Sequence, residues 1–202
     1  MERSRRIGIH RYSKGRSNIA EDHLASETLI HLYSGEHKIA SLLGTPTDLT
    51  ELFLGHACSE GYGQFRDAEI VSEQSRSGSI NVSINQTIKP AVSNQRVITS
   101  SCGACNADGL EELIGGLPLF AHAHLPIQHE ILYAALESMK ELQFGFIETG
   151  GMHAAALWNH HIGLHQLSED IGRHNAVDKT IGRGLMAGIS FDEEILLLSG
   201  RC

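Results

Sequence analysis

The segment at residues 79–87 has the clearest periodicity in the chain. Its apolar residues Ile80, Val82 and Ile84 alternate with polar ones, the pattern of an antiparallel strand with one buried and one exposed face. Such a strand requires a helix or a second sheet to cover its apolar face. Further strand patterns fall at 27–33, 37–43, 96–99, 153–158, 163–167 and 195–198, and helix patterns at about 48–61, 107–114, 126–143 and 175–186. This mixture predicts a layered α/β fold.

Composition and charge narrow the class of protein. The 202 residues are 41% hydrophobic and 20% charged, as in ordinary globular domains. No apolar run is long enough to cross a bilayer and no signal peptide is apparent, so we expect a cytoplasmic protein without a membrane partner. The net charge is −8: residues 1–16 carry +5 and the remainder −13. The acidic body argues against nucleic-acid binding, and residues 1–26 are expected to form an irregular basic arm.

The cysteines include one closely spaced pair. Of the four, Cys102 and Cys105 form a C-x-x-C motif with Gly103 inside it. In an intracellular chain this motif indicates redox chemistry, sulfur handling or metal binding. A sulfur carrier needs a thiolate, and a helix that begins just after the motif would lower the cysteine pKa. An incidental buried pair remains an alternative. Zinc would require further ligands, and none is fixed by spacing, so no metal is predicted.

Two later segments combine glycines with polar side chains. In the first, Gly150 and Gly151 precede His153 and a run of alanines, which permits close approach of a ligand or of another backbone. In the second, residues 169–179, Arg173 offers a guanidinium fork for a phosphate or carboxylate at the start of a helix. The alternatives are a structural histidine in the first segment, and in the second an Asp170–Arg173 ion pair with a solvated helix face at 178–179.

Four motifs together resemble the FdhD family of formate dehydrogenase accessory sulfurtransferases. They are Thr99-Ser100-Ser101-Cys102-Gly103-Ala104-Cys105, Thr149-Gly150-Gly151-Met152-His153-Ala154-Ala155-Ala156-Leu157, Glu169-Asp170-Ile171-Gly172-Arg173-His174-Asn175-Ala176-Val177-Asp178-Lys179 and Ser199-Gly200-Arg201. They occur in the family's order, and the third is the longest and most specific. Weaker similarity extends back to about residue 27.

The resemblance implies both a fold and an activity. The fold is a cytidine-deaminase-like α/β arrangement, usually dimeric. A cysteine desulfurase would form a persulfide on Cys102, assisted by Cys105, although which cysteine carries the sulfur stays open. The sulfur would pass to a bis-guanine-dinucleotide molybdenum cofactor, bound as a substrate before its insertion into formate dehydrogenase. By the same resemblance, Gly150, Gly151, His153, Arg173 and His174 would lie near the cofactor.

The chain departs from the family pattern at two places. Asn106 stands where a glycine is usual, and the sequence stops at Cys202, directly after the fourth motif. We therefore expect a C-terminally incomplete fold. The chain divides into a basic arm at 1–26, a smaller β-rich and helical portion at 27–98, and a sulfurtransferase and cofactor-binding portion at 99–202.

Three other functions remain open from the sequence. A strand, a C-x-x-C motif and a helix also occur in thiol–disulfide oxidoreductases. A non-catalytic cofactor chaperone is compatible with an incomplete cofactor site. A zinc deaminase is disfavoured, because its histidine motif should precede the cysteines and contain a glutamate, whereas His153 follows them and is succeeded by alanines.

Overall fold

The computed structural model describes residues 2–65, 69–86, 88 and 127–200. These residues form three sheets and four α-helices. The sequence segments at 96–99 and 107–114 lie outside the described residues.

A two-stranded antiparallel hairpin opens the chain. Strand β1 (Ser4–Ser13) pairs along its whole length with β2 (Arg16–Ala25). Its turn is formed by Lys14 and Gly15, both with positive φ. The expectation of an irregular arm at residues 1–26 was therefore wrong. An isolated hairpin is marginal in water, and this one is held at its base by Arg3 and Ser4, which both donate to Glu148.

A four-stranded sheet and its covering helix follow. The elements are β3 (Thr28–Ser34), β4 (His37–Gly44), α1 (Leu49–Ser59), β5 (Ile70–Gln74) and β6 (Ile80–Ile84). The strand order is β4-β3-β6-β5, in which β3 and β6 pair in parallel and the other neighbours are antiparallel. Helix α1 covers the inner face, where Leu52, Phe53 and Ala57 pack against Ile30, Val82 and other core residues. The alternation at 79–87 thus marks a half-buried strand, as predicted, although it is antiparallel only to β5.

The second half of the chain builds a three-stranded antiparallel sheet with helices on both faces. The elements are α2 (His129–Glu141), α3 (Phe144–Thr149), β7 (His153–Asn159), β8 (Gly163–Asp170), α4 (Arg173–Met186), a 3₁₀ turn (Phe191–Glu193) and β9 (Ile195–Leu198). The strand order is β8-β7-β9. Helix α2 packs on one face of the sheet, where Met139 contacts the cluster around Trp158. Helix α4 packs on the other, and Thr180 Oγ1 donates to the Ala155 carbonyl at 3.0 Å.

The two larger units meet where α1 crosses α4. A Cβ atom at Gly55 would lie 1.7 Å from the Asp178 carbonyl oxygen, and one at Gly182 would lie 1.9 Å from the Glu51 carbonyl oxygen. Both positions therefore need glycine for the backbones to approach so closely. This contact connects the four-stranded sheet to the three-stranded sheet through their covering helices.

The mixed α/β class and most element positions predicted from the sequence are confirmed. Asp48, the N-cap residue of α1, has a φ of 50° and makes no side-chain cap. Its carboxylate instead accepts a hydrogen bond from Arg183 Nη2 at 3.1 Å. The cytidine-deaminase-like arrangement and the three-part division of the chain stay predictions.

Candidate functional site

One edge of the three-stranded sheet gathers the residues that the sequence singled out after position 149. Strand β7 begins at His153, which lies opposite Asp170 at the end of β8. Strand β9 ends beside the same edge, because Ala155 pairs with Leu198. Helix α3 ends at Gly150 and helix α4 begins at Arg173. The antiparallel register therefore brings Gly150, Gly151, His153, Arg173 and His174 to a common end of the fold.

A cavity of about 740 Å³ opens at this edge, between α2, α3 and the ends of β7 and β9. Gly150, Gly151 and His153 all line it, and its size is within the usual range for small-molecule sites. Gly200 lies against the histidine, since a Cβ there would be 3.1 Å from His153 Nδ1. Much of the remaining wall is apolar or aromatic, including Tyr133, Leu136, Met139, Phe146 and Ile147. The cavity can hold a molecule with a polar end and a flat or apolar body.

Arg173 and His174 lie at the same edge but do not line this cavity. His174 is exposed, whereas Arg173 Nε is buried and has no hydrogen-bond partner in the part of the chain that the structure describes. The first turn of α4 has no side-chain cap, because its N-cap residue is Gly172. An unpartnered guanidinium nitrogen and uncapped backbone N–H groups together suit an anion such as a phosphate.

Much of the polar segment at 169–179 is structural. Lys179 Nζ donates to Asp170 Oδ2 at 2.6 Å, and both side chains are fully buried. Asn175 Nδ2 donates to Asp170 Oδ1 at 3.1 Å and to the Leu43 carbonyl at 2.8 Å. Asp170 also accepts from the Thr45 N–H at 3.0 Å and from the Gly172 N–H at 2.7 Å. The alternative of an ion pair between Asp170 and Arg173 was wrong, because Asp170 pairs with Lys179.

The alternative of a solvated helix face at 178–179 was also wrong, because both side chains are buried. Asp178 accepts from Ser59 Oγ at 2.8 Å and lies 3.1 Å from His56 Nδ1, both on α1. Burial, with the nearby Asp178 carboxylate, raises the pKa of the Cys58 thiol. Cys58 is therefore held in its unreactive protonated form at neutral pH.

Glu169 has a local role as well. Its carboxylate accepts hydrogen bonds from the Gly145 and Phe146 N–H groups, at 2.7 and 2.8 Å. These contacts satisfy the first turn of α3, whose last residue, Thr149, leads into Gly150 and Gly151. The segment 169–179 thus positions both the glycine pair and Arg173 from one strand end.

The structural anchors were missed by the sequence reasoning. Thr45 joins the network through both its backbone and its side chain, and Ile171 N–H donates to its hydroxyl at 3.1 Å. The usable signal was the spacing of Asn175 and Lys179, which places both side chains on one face of α4. The loop that contains Thr45 has no such local signal, because Thr45 lies 125 residues before its partner Asp170.

Cys102 and Cys105 lie outside the described residues. Within the described ranges, no group of three or more histidine, cysteine or acidic side chains is arranged to hold a metal ion. The same part of the chain contains no helix with the length and apolarity needed to cross a membrane.

Comparison with known proteins agrees with the motifs. The family model described as FdhD/NarQ matches residues 25–202. Sulfur carrier protein FdhD from Sulfolobus acidocaldarius is 33% identical over 199 residues, which cover 98% of this chain and 76% of the relative. The protein of the same name from Listeria monocytogenes is 29% identical over 96% of this chain and 75% of its own length.

The fold is also found among solved structures. A crystal structure of a proposed formate dehydrogenase accessory protein from Desulfotalea psychrophila matches with a TM-score of 0.69 and 22% identity, over 98% of this chain and 76% of the other. At that identity the match supports the fold alone. The family model, by contrast, spans the cysteine pair, the glycine pair and the segment 169–179. The chain belongs to the FdhD/NarQ family.

Proposed function

We propose that this protein carries sulfur on the Cys102–Cys105 pair for the maturation of formate dehydrogenase. The family match over residues 25–202 carries the proposal, because it includes both cysteines and its relatives are named sulfur carrier proteins. The raised pKa of Cys58 makes that cysteine a poor source of a reactive thiolate, so Cys58 is the weaker candidate for the carrier.

The proposed sulfur donor is a cysteine desulfurase that itself holds a persulfide. A thiolate of Cys102, assisted by Cys105, attacks the outer sulfur of that persulfide. The desulfurase cysteine leaves as a thiolate, and the sulfur bound to this chain becomes a new persulfide. No net oxidant is needed, because the transferred sulfur is already at the persulfide level. Cys102 is proposed as the carrier within the pair.

The proposed acceptor is the molybdenum cofactor with two guanine dinucleotides, bound as a substrate. The cavity beside Gly150, Gly151 and His153 offers a polar end and an aromatic wall for part of such a molecule. Arg173 Nε and the uncapped start of α4 supply unused donors for a phosphate. We propose that His174, exposed at the same edge, contributes at the rim, and that the protein works in the cytoplasm as a homodimer.

Restoration of formate dehydrogenase activity tests the sulfur-carrier function. In cells that lack their own FdhD protein, the native chain should restore the activity, and the Cys102→Ala/Cys105→Ala double variant should not. Cys58→Ala is the matched control and should behave like the native chain. Full restoration by the double variant, at equal protein level, would exclude the cysteine pair as the sulfur carrier and favour a non-catalytic chaperone.

A second assay distinguishes the proposed sulfur carrier from a thiol–disulfide oxidoreductase. Such an enzyme would reduce a disulfide substrate with a dithiol reductant and no desulfurase. If the protein is a sulfur carrier, the native chain should reduce the disulfide substrate no faster than the Cys102→Ala/Cys105→Ala double variant.

A further inference from the structure

A second cavity, of about 400 Å³, opens between the base of the β1–β2 hairpin, the loop before α1 and the end of β8. Its wall includes Arg3, Asp48, Ser168 and Arg183, which come from distant parts of the chain. Met152 lines both this cavity and the larger one, so the two spaces adjoin. Of the predicted site residues that the structure describes (Gly150, Gly151, His153, Arg173 and His174), none lines the smaller cavity.

Ser168 gives the first indication of an occupant. The residue is only 2% exposed, and its Oγ has no hydrogen-bond partner among the described residues. A buried hydroxyl without a partner costs about 1–3 kcal/mol. Because Ser168 lines the cavity, a ligand in the cavity can supply the missing partner.

Arg183 and Asp48 give the second indication, because each side chain has hydrogen-bonding positions that the described residues do not use. Arg183 donates to the Leu167 carbonyl at 2.9 Å and to Asp48 Oδ1 at 3.1 Å, which uses two of its five N–H groups. Its Nη2 also lies 3.9 Å from Glu51 Oε1, an ion pair beyond hydrogen-bond distance. Asp48 Oδ2 has no hydrogen bond to any residue in the described ranges. A guanidinium and a carboxylate with free positions therefore stand side by side at the same cavity.

The balance of charge selects the class of ligand. Among the described residues, the charged ones that line the cavity are two arginines and two acids, Arg3, Arg183, Asp48 and Glu169. A net anion would meet the two carboxylates and a net cation would meet the two guanidinium groups. A ligand that carries both charges next to each other satisfies Arg183, Asp48 and Ser168 together. The rest of the wall is apolar and includes Phe144, Met152 and Leu167.

We propose that this cavity binds a free α-amino acid with an apolar side chain. The α-carboxylate is bound by the spare N–H groups of Arg183 and by the Ser168 hydroxyl. The α-ammonium is bound by Asp48 Oδ2, and the side chain packs against Phe144, Met152 and Leu167. The site is separate from the proposed sulfur-carrier function and does not depend on it.

Isothermal titration of the full native chain tests the proposal directly. Leucine and methionine should bind, whereas aspartate and lysine should bind at least about tenfold more weakly, because one of their charges is unmatched in the cavity. N-acetyl-leucine and leucine amide each lack one of the two main-chain charges and should give no binding. Absence of binding by leucine and methionine at several millimolar, or equal binding by the blocked derivatives, would overturn the proposal.

A pair of serine variants tests the placement. Ser168→Ala should raise the Kd for leucine about tenfold, since it removes one hydrogen bond to a charged group. Ser190→Ala is the control, because Ser190 is exposed and bonds only to its neighbour Asp192. An unchanged Kd in a folded Ser168→Ala protein would contradict the proposal. If that variant does not fold, the blocked derivatives still decide the matter on the native chain.

Discussion

Lys179 Nζ lies 2.6 Å from Asp170 Oδ2, and both side chains are completely shielded from solvent. Lys179 also donates to the Thr45 carbonyl at 3.0 Å. The pair therefore ties helix α4 and the end of β8 to the loop before α1. It holds the strand end from which Gly172 and Arg173 follow, and so connects the stability of the fold to the position of the candidate site.

Removal of Lys179 should be strongly destabilising. Lys179→Met would leave the Asp170 carboxylate buried without its cation, and the expected loss in the free energy of unfolding is about 3–5 kcal/mol. Urea denaturation followed by circular dichroism measures it. Lys140→Met is the control, since its pair with Glu137 is solvent-exposed and should contribute less than about 1 kcal/mol. Equal losses in the two variants would show that the buried pair is not the anchor described above.

The crossing of α1 and α4 should not tolerate a methyl group. Gly55→Ala would place a Cβ 1.7 Å from the Asp178 carbonyl oxygen, so the helices must separate. We expect a loss of at least about 2 kcal/mol in urea denaturation. Gly8→Ala is the control, because a Cβ at Gly8 meets no atom within 4 Å. A native-like unfolding midpoint for Gly55→Ala would contradict the close crossing.

The attachment of the N-terminal hairpin should depend on pH. The Ser4 hydroxyl donates to Glu148 Oε1 at 2.9 Å and, with help from Arg3, holds the pKa of the Glu148 carboxyl below its usual range. A carboxyl whose pKa is depressed on folding stabilises the folded state above the unfolded pKa. That contribution is lost as the pH falls through the lower, folded value.

Hydrogen exchange at the base of β1 and β2, corrected for the intrinsic effect of pH, measures this release. Protection should fall in the acid range for the native chain. Glu148→Gln should already be less protected at neutral pH and should lose the acid transition. A transition of unchanged size in the variant would assign the pH dependence to another group.

Arg173 should matter for anion binding and not for sulfur loading. Arg173→Ala should raise the Kd for guanosine diphosphate about tenfold, because it removes a charged group whose Nε has no hydrogen-bond partner among the described residues. Arg76→Ala, at an exposed turn, is the matched control. Identical Kd values for the native chain and both variants, measured by titration calorimetry, would remove Arg173 from the proposed cofactor site.

The sequence predicted those elements whose signal is local. The alternation around Val82 and the strands on both sides of residues 159–162 are confirmed, since side-chain periodicity alone specifies them. The N-terminal hairpin was missed because most residues of its strands are exposed and none is fully buried. Its attachment comes from Arg3 and Ser4 bonding to Glu148, more than 140 residues away.

Long-range contacts also determine the roles of the polar residues. Aspartate is a common helix N-cap residue, yet the Asp48 carboxylate accepts a hydrogen bond from Arg183, 135 residues later. In the same way, the segment 169–179 looked like one dense site, whereas Asp170 and Lys179 form a buried anchor and leave Arg173 at the edge. The motif located the right part of the fold, but only the tertiary contacts separate its supporting residues from those with unused donors.

Intact-mass spectrometry after incubation with cysteine and a cysteine desulfurase tests the sulfur-carrier claim most directly. The native chain and Cys58→Ala should each gain one reducible sulfur atom, and Cys102→Ala should gain none. Loading of Cys102→Ala with loss in Cys105→Ala would move the carrier to the second cysteine. No gain of sulfur by the native chain, or full gain by a variant that lacks both cysteines of the pair, would contradict the account.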